Sequence, residues 1–171
     1  MVRTIALMML ALLVASPAAA APSAAAEQTF GDWRSVTLPG FWSVYTTNES
    51  GSQLGFMCTK DLCDYYVDLG RPCVANQTYY VAVSAQAEGG AFSLICMRSG
   101  TGPPMLFFTP PAVGERRRDA LELDGAIGAD VIGIAIAIDS GFNVARFSGA
   151  GARDAVGWVR NQAANATAAP K

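Results

Sequence analysis

Residues 53–69 read QLGFMCTKDLCDYYVDL, and this stretch decides the fold class. Two apolar or aromatic runs, residues 53–58 and 63–69, flank a four-residue stretch that suits a turn, which predicts a β-hairpin. Cys58 and Cys63 stand at the two ends of that turn, where facing residues of a hairpin can come within disulfide reach. The stretch therefore predicts a disulfide-stapled β-protein.

Runs of the same kind recur along the chain, each bounded by Gly, Pro, Asn, Asp or Ser, at residues 30–36, 41–47, 78–85, 91–97, 105–109, 120–123 and 131–138. This spacing predicts a mainly β, antiparallel, β-sandwich-like single domain. Glu88-Gly89-Gly90 suits the turn of a second hairpin. The run VIGIAIAI at 131–138 predicts a central strand whose isoleucines face the core. Its small residues, Gly133, Ala135 and Ala137, are expected to face a closely packed neighbouring part of the protein.

Near the C-terminus the spacing of apolar residues changes from that of a strand to that of a helix. Behind Ser148, a candidate N-cap, apolar residues follow the spacing of one helix face, at Ala152, Ala155, Val156 and Val159. We expect one C-terminal helix over about residues 149–161, closing a domain that spans 27–161. Residues 162–171 are predicted to form a disordered tail.

All four cysteines fall between residues 58 and 96. Four cysteines allow three pairings, and the hairpin argument favours Cys58 with Cys63, which leaves Cys73 for Cys96. A zinc site would lack close C-x-x-C ligand pairs and any histidine, since the chain has none. We therefore expect disulfides, with no metal and no cofactor.

The N-terminus reads as a secretory signal peptide over residues 1–26. Arg3 precedes an uncharged apolar stretch at 4–15, and small residues permit cleavage after Ala20 or Ala26. The apolar stretch is too short to span a bilayer, so no membrane span is expected once the signal is removed. Disulfides fit the same destination, because they persist in oxidising compartments. The expected location is the bacterial periplasm or outside the cell.

The charge balance narrows the choice of partners. The formal net charge of the whole chain is −2. Removal of the signal peptide removes the positive charge of Arg3, so the net charge becomes −3. Such a balance gives no long-range attraction for nucleic acid or for an anionic membrane. Arg116-Arg117-Arg118 is interpreted as a solvated loop. The partner that we expect is therefore a protein or a glycan.

The absence of histidine also limits catalysis, because histidine is the usual general base of serine and cysteine hydrolases. The remaining type of catalysis is one that uses a pair of carboxylates. Two pairs of acids are expected to share a strand face, Asp64 with Asp68 and Glu122 with Asp124. Acids at strand ends and beside glycine are more often turn formers. We therefore assign no catalytic residue and expect the protein not to be an enzyme.

Aromatic residues are the best candidates for function. Neighbouring aromatics in a strand point to opposite faces, so Phe41-Trp42 and each tyrosine pair place one ring outward or in a second layer. The candidate binding residues are Trp42, Tyr45, Tyr66 and Tyr80. A two-layer sandwich that buries both faces is the alternative.

Short strings at the two ends and at one turn carry a family resemblance: FGDW at residues 30–33, LDG at 123–125 and FSGA at 147–150, running into a short alanine-containing helix. These strings are similar to those of the invasion-associated locus B family. The resemblance implies an exported β-rich protein of proteobacteria, linked to host-cell interaction and not known as an enzyme. It also implies a structural role for Phe30, Gly31, Asp32 and Trp33 in an opening strand.

The expected function is that of an exported, non-catalytic binding protein of the bacterial envelope, in host or envelope interaction. One alternative is a small periplasmic inhibitor of a lytic enzyme or protease, which would insert a loop such as residues 99–104 into its target. The other alternative is a carboxylate-dependent hydrolase.

Overall fold

The computed structural model describes residues 27–85, 88–98, 102–108, 124–138 and 141–168. Ten strands and one long helix, α1, lie within these ranges, and residues 124–127 form a helical turn. The elements are β1 (Thr29–Phe30), β2 (Trp33–Leu38), β3 (Phe41–Thr47), β4 (Gln53–Thr59), β5 (Cys63–Asp68), β6 (Thr78–Ala85), β7 (Glu88–Arg98), β8 (Pro104–Phe108), β9 (Val131–Ile138), β10 (Gly141–Ser148) and α1 (Ala152–Ala168). The predicted mainly β, antiparallel fold with a C-terminal helix is confirmed.

The strands form one antiparallel sheet in the order β1-β2-β3-β4-β5-β8-β7-β6-β9-β10. The sheet curls, because β10 at one end contacts β3 near the other. Its concave face encloses the core, in which Trp33, Leu54 and Ile134 are at most 1% exposed. Helix α1 lies against β1 to β4. It covers one half of the sheet, and its apolar stripe completes the core.

The hairpin at residues 53–69 forms as its sequence predicts. Strands β4 and β5 pair with Cys58 opposite Cys63, and the two cysteines are bonded. The second disulfide joins Cys73, ahead of β6, to Cys96 on β7. These are the two pairings that the sequence favoured, and no cysteine is free.

Two of the three strings that carry the family resemblance, residues 30–33 and 147–150, meet in space. Trp33 Nε1 donates a hydrogen bond to the Ser148 carbonyl oxygen at 3.0 Å, and the Asp32 amide donates to Ala150 O at 3.1 Å. Gly31 and Gly151 both have positive φ, and a Cβ on either would collide with the backbone of the other segment. These glycines therefore hold the first hairpin against the start of α1.

Strand β9 places Ile132, Ile134 and Ile136 in the core at 0–1% exposure, as predicted, while the fourth isoleucine, Ile138, is half-exposed. Gly133 lies close to a neighbour, since a Cβ there would meet Ser84 Oγ on β6. Ala135 and Ala137 are half-exposed instead of covered.

Three boundaries differ from the sequence predictions. The β6–β7 hairpin forms, but residues 88–90 belong to β7, so the turn does not lie at Glu88-Gly89-Gly90. Strand β10 was not among the predicted runs. Helix α1 begins at Ala152 and continues to Ala168, so the prediction of a disordered tail from residue 162 is wrong as far as 168.

The longer helix has a physical explanation. Alanine has the highest helix propensity, Ala163 is buried, and Thr167 Oγ1 donates to the Ala163 carbonyl. Ser148 is the last residue of β10, and its Oγ accepts a hydrogen bond from the Ala150 amide. It therefore stabilises the turn that leads to the helix and is not the N-cap.

Several predictions fall outside the described residues: the signal peptide, the run at 120–123, Arg116-Arg117-Arg118 and half of the proposed inhibitory loop, residues 99–101 of 99–104. Where the chain is described, no helix is both long enough and apolar enough to cross a membrane.

Candidate binding site

The four candidate aromatic residues occupy three different environments. Trp42 is half-buried and packs against the core. Tyr45 and Tyr66 lie on the convex face of the sheet, on β3 and β5, with Gly55 of β4 in register between them. Tyr80 lies on β6 in the other half of the sheet and is 72% exposed. The structure thus brings Tyr45 near Tyr66 and separates both from Tyr80.

Tyr66 is packed against the protein's own sheet. Its ring lies across Gly55, where any Cβ would overlap the ring, and it contacts Phe107 with ring centroids 6.1 Å apart. The Tyr66 hydroxyl lies 3.2 Å from Ser43 Oγ. Burial raises the pKa of Tyr66 to about 12. With 6% of its surface exposed, this ring offers little area to a partner.

The convex face of β6, β7, β9 and β10 has a different surface, which we call the alanine face. In register across it lie Ala135, Ala82 and Ala91, with Val144 at the β10 end of the same row. Ala82 and Ala91 are exposed, and Ala135 is half-exposed. The next row along the strands contains Arg146, Gly133, Ser84 and Gly89. The surface is therefore a shallow floor of small side chains open to solvent in the described part of the chain.

Large apolar side chains stand around this floor. Tyr80 is 72%, Phe142 is 70% and Val144 is 64% exposed. Phe142 pairs with Ala137 on β9, and Tyr80 lies on β6 beyond it, so the two aromatic positions are two strand spacings apart, about 10 Å. An aromatic pair on an apolar floor is typical of an interaction surface.

Sequence reasoning found Tyr80 but missed Phe142 and Val144. The alternation within residues 141–148 could have indicated a strand, with Phe142, Val144 and Arg146 on one face and Ala145 and Phe147 on the other. Because both faces of this segment contain apolar residues, the pattern does not say which face is buried.

The acids of the hydrolase alternative have structural partners. Asp124 accepts a hydrogen bond from the Tyr65 hydroxyl, and Arg160 Nη2 of α1 lies 2.9 Å from both of its carboxylate oxygens. Burial, and then the hydrogen bond to Asp124, raise the pKa of Tyr65. Arg160 also lies over the Phe56 ring, 5.0 Å from its centroid. This cluster ties the helix to the sheet.

The second pair of acids forms short-range hydrogen bonds with the backbone. Asp64 Oδ1 accepts a hydrogen bond from the Tyr65 amide, and Asp68 Oδ1 accepts one from the Gly70 amide. Glu122 lies outside the described residues. Over the ranges that the structure covers, no group of three or more His, Cys, Asp or Glu side chains could hold a metal ion.

Comparisons with known proteins give one informative likeness. No protein-family model matches the sequence, and no curated protein matches it. Among solved structures, the chain is similar to the crystal structure of invasion associated protein B from Bartonella henselae, with a TM-score of 0.53. The match covers 81% of this chain and 98% of that chain at 8% sequence identity. At this identity the two chains share a fold.

Proposed function

We propose that this protein is exported to the bacterial periplasm or beyond and acts there as a non-catalytic binding protein whose protein partner docks on the alanine face. The observation that carries the proposal is the exposure of Tyr80, Phe142 and Val144 around a floor of alanine and glycine. Apolar side chains of this size, exposed together, favour an interaction surface over a purely solvated one.

Export is supported by two features. The two disulfides suit an oxidising compartment, and residues 1–26 have the composition of a cleavable signal. A role in host or envelope interaction is supported by the fold, which resembles that of a protein named as invasion-associated. The resemblance is to the fold, so the role stands as part of the proposal.

A protein partner suits this floor better than a glycan. Sugar hydroxyl groups that leave water need hydrogen-bond partners. The central row of the alanine face, Val144, Ala135, Ala82 and Ala91, has no polar side chain. An apolar protein surface can cover this row without leaving polar groups unsatisfied.

The experiment is affinity capture with the mature chain from residue 27, using bacterial envelope and host-cell surface extracts. The test variant is Tyr80→Ser with Phe142→Ser. The matched control is Leu38→Ser with Leu62→Ser, which changes two exposed apolar side chains, 56% and 53% exposed, on β2 and in the turn between β4 and β5. A partner captured in fixed stoichiometry should be lost by the test variant and kept by the control.

Three results would contradict the proposal. Capture that both double variants retain would remove the alanine face from binding. Capture abolished only by changes at residues 99–104 would favour an inhibitor. Polysaccharide turnover that Asp124→Asn or another single acid substitution abolishes would identify a hydrolase.

A further inference from the structure

A cleft of about 470 Å³ opens at one end of the core, where β5, β6, β8 and β9 converge. Val67, Leu106 and Ile136 line it from the core and are at most 2% exposed. Leu69, Met105 and Ile138 line it further out. Most of the lining residues are therefore apolar, while polar atoms supply about half of the exposed surface, and the volume lies in the range of small-molecule sites.

Two groups of the cleft matter for its charge and hydrogen bonding, the Tyr79 hydroxyl, which is already engaged, and the Arg71 guanidinium, which is not. The Tyr79 hydroxyl donates to Gln77 Oε1 and accepts a hydrogen bond from the Val74 amide. Arg71 also lines the cleft, is exposed, and forms no ion pair with any residue that the structure describes. Its guanidinium is thus the cleft's one unpaired charge within the described ranges.

The Cys73–Cys96 disulfide holds this side of the cleft in place. Cys73 lies two residues after Arg71, lines the cleft and is bonded to the fully buried Cys96 of β7. The segment that carries the cation is therefore anchored to the sheet, which lowers the entropic cost of ordering it around a ligand.

We propose that this cleft binds a single-chain anionic amphiphile, with its alkyl chain between the apolar walls and its anionic headgroup at Arg71. A neutral alkyl compound would leave the cation unused. The site is distinct from the alanine face, with Tyr80 and Ala137 at the border between them.

The experiment measures binding of octanoate, decanoate and dodecanoate, each below its micelle concentration, to the mature chain by calorimetry. Each added methylene should tighten binding about fourfold until the cleft is filled. The alcohol of the same length should bind up to about fivefold more weakly than the carboxylate. Arg71→Gln should remove that difference while keeping the dependence on chain length.

Two further variants test the location. Thr78→Trp, an exposed residue that lines the cleft, should block binding. Phe142→Ser, which changes the alanine face outside the cleft, should bind the carboxylates like the parent while weakening capture of the protein partner. Circular dichroism checks that each variant is folded. Absent binding, equal affinity for the three chain lengths, a headgroup preference that survives Arg71→Gln, or unchanged binding by Thr78→Trp would overturn the proposal.

Discussion

Two tyrosines in the same local setting end in opposite environments. Tyr66 follows Tyr65 in β5, and Tyr80 follows Tyr79 in β6; in each pair the first ring packs on the core and the second points to the convex face. Tyr66 is 6% exposed and Tyr80 is 72% exposed. The neighbouring strand makes the difference, because Gly55 provides a place for the Tyr66 ring. Small residues on the convex face thus serve internal packing in one half and leave an open surface in the other.

The largest test of this comparison is Tyr66→Ala against Tyr80→Ala. Removing the Tyr66 ring should lower the free energy of unfolding by about 3 to 5 kcal/mol, because it leaves a cavity over Gly55 and beside Phe107. Removing the Tyr80 ring should change it by less than about 0.5 kcal/mol. Chemical denaturation with the disulfides intact measures both. Similar losses in the two variants would show that Tyr80 is also packed.

The disulfides allow a second comparison, since one links β4 to β5 and the other anchors the segment before β6. They close loops with sequence separations of 5 and 23. Loop-closure entropy predicts a loss of about 2 kcal/mol when Cys58 and Cys63 are both changed to alanine, and about 3.5 kcal/mol for Cys73 and Cys96. The measurement is again chemical denaturation. The reverse order would mean that packing around Cys58 outweighs loop length.

The free energy of unfolding at alkaline pH should also show that the Tyr66 hydroxyl is buried, with a smaller effect than the substitutions above. The folded-state pKa of Tyr66 is raised to about 12, so the stabilisation from its protonated form is complete below the unfolded-state pKa near 10 and is lost as pH rises from there to about 12. We expect a loss of about 1 kcal/mol per buried tyrosine between pH 10 and 11. Tyr66→Phe should make the pH dependence shallower by one group, and Tyr65→Phe should do the same.

Equal slopes in the parent and in Tyr66→Phe would show that the Tyr66 hydroxyl is solvated.

The smallest expected effect concerns the helix, which lies against β1 to β4. Asp124→Asn keeps an acceptor for Tyr65 but removes the ion pair with Arg160, whose side chain is 45% exposed. We expect a loss of about 0.5 kcal/mol, less at high salt. Lys60→Gln, which breaks the exposed pair with Asp61, is the control and should have no measurable effect. A loss above about 2 kcal/mol would mean that the pair is effectively buried.

Local patterns predicted most of the sheet because they depend on neighbours in the chain. Alternation and turn residues located the strands around residues 53–69, and a short loop between Cys58 and Cys63 favoured their bond. The inward isoleucines of β9 follow from the same period of two. Strand β10 was missed because apolar residues lie on both of its faces. The end of α1 was placed too early because the burial of Ala163 depends on strands that are distant in the sequence.

The sequence by itself determined the β-rich class and the strands that carry candidate aromatic residues, because these follow from residue type and spacing. It favoured the observed cysteine pairs without excluding the two other pairings. Only the tertiary structure decided which aromatic residues remain accessible. Tyr66 is covered because Gly55 on the neighbouring strand leaves room for its ring, whereas Tyr80 is exposed. Phe142 lies on the same face as Tyr80 because β10 pairs with β9. Exposure depends on residues far apart in the chain, so strand order sets it and local pattern does not.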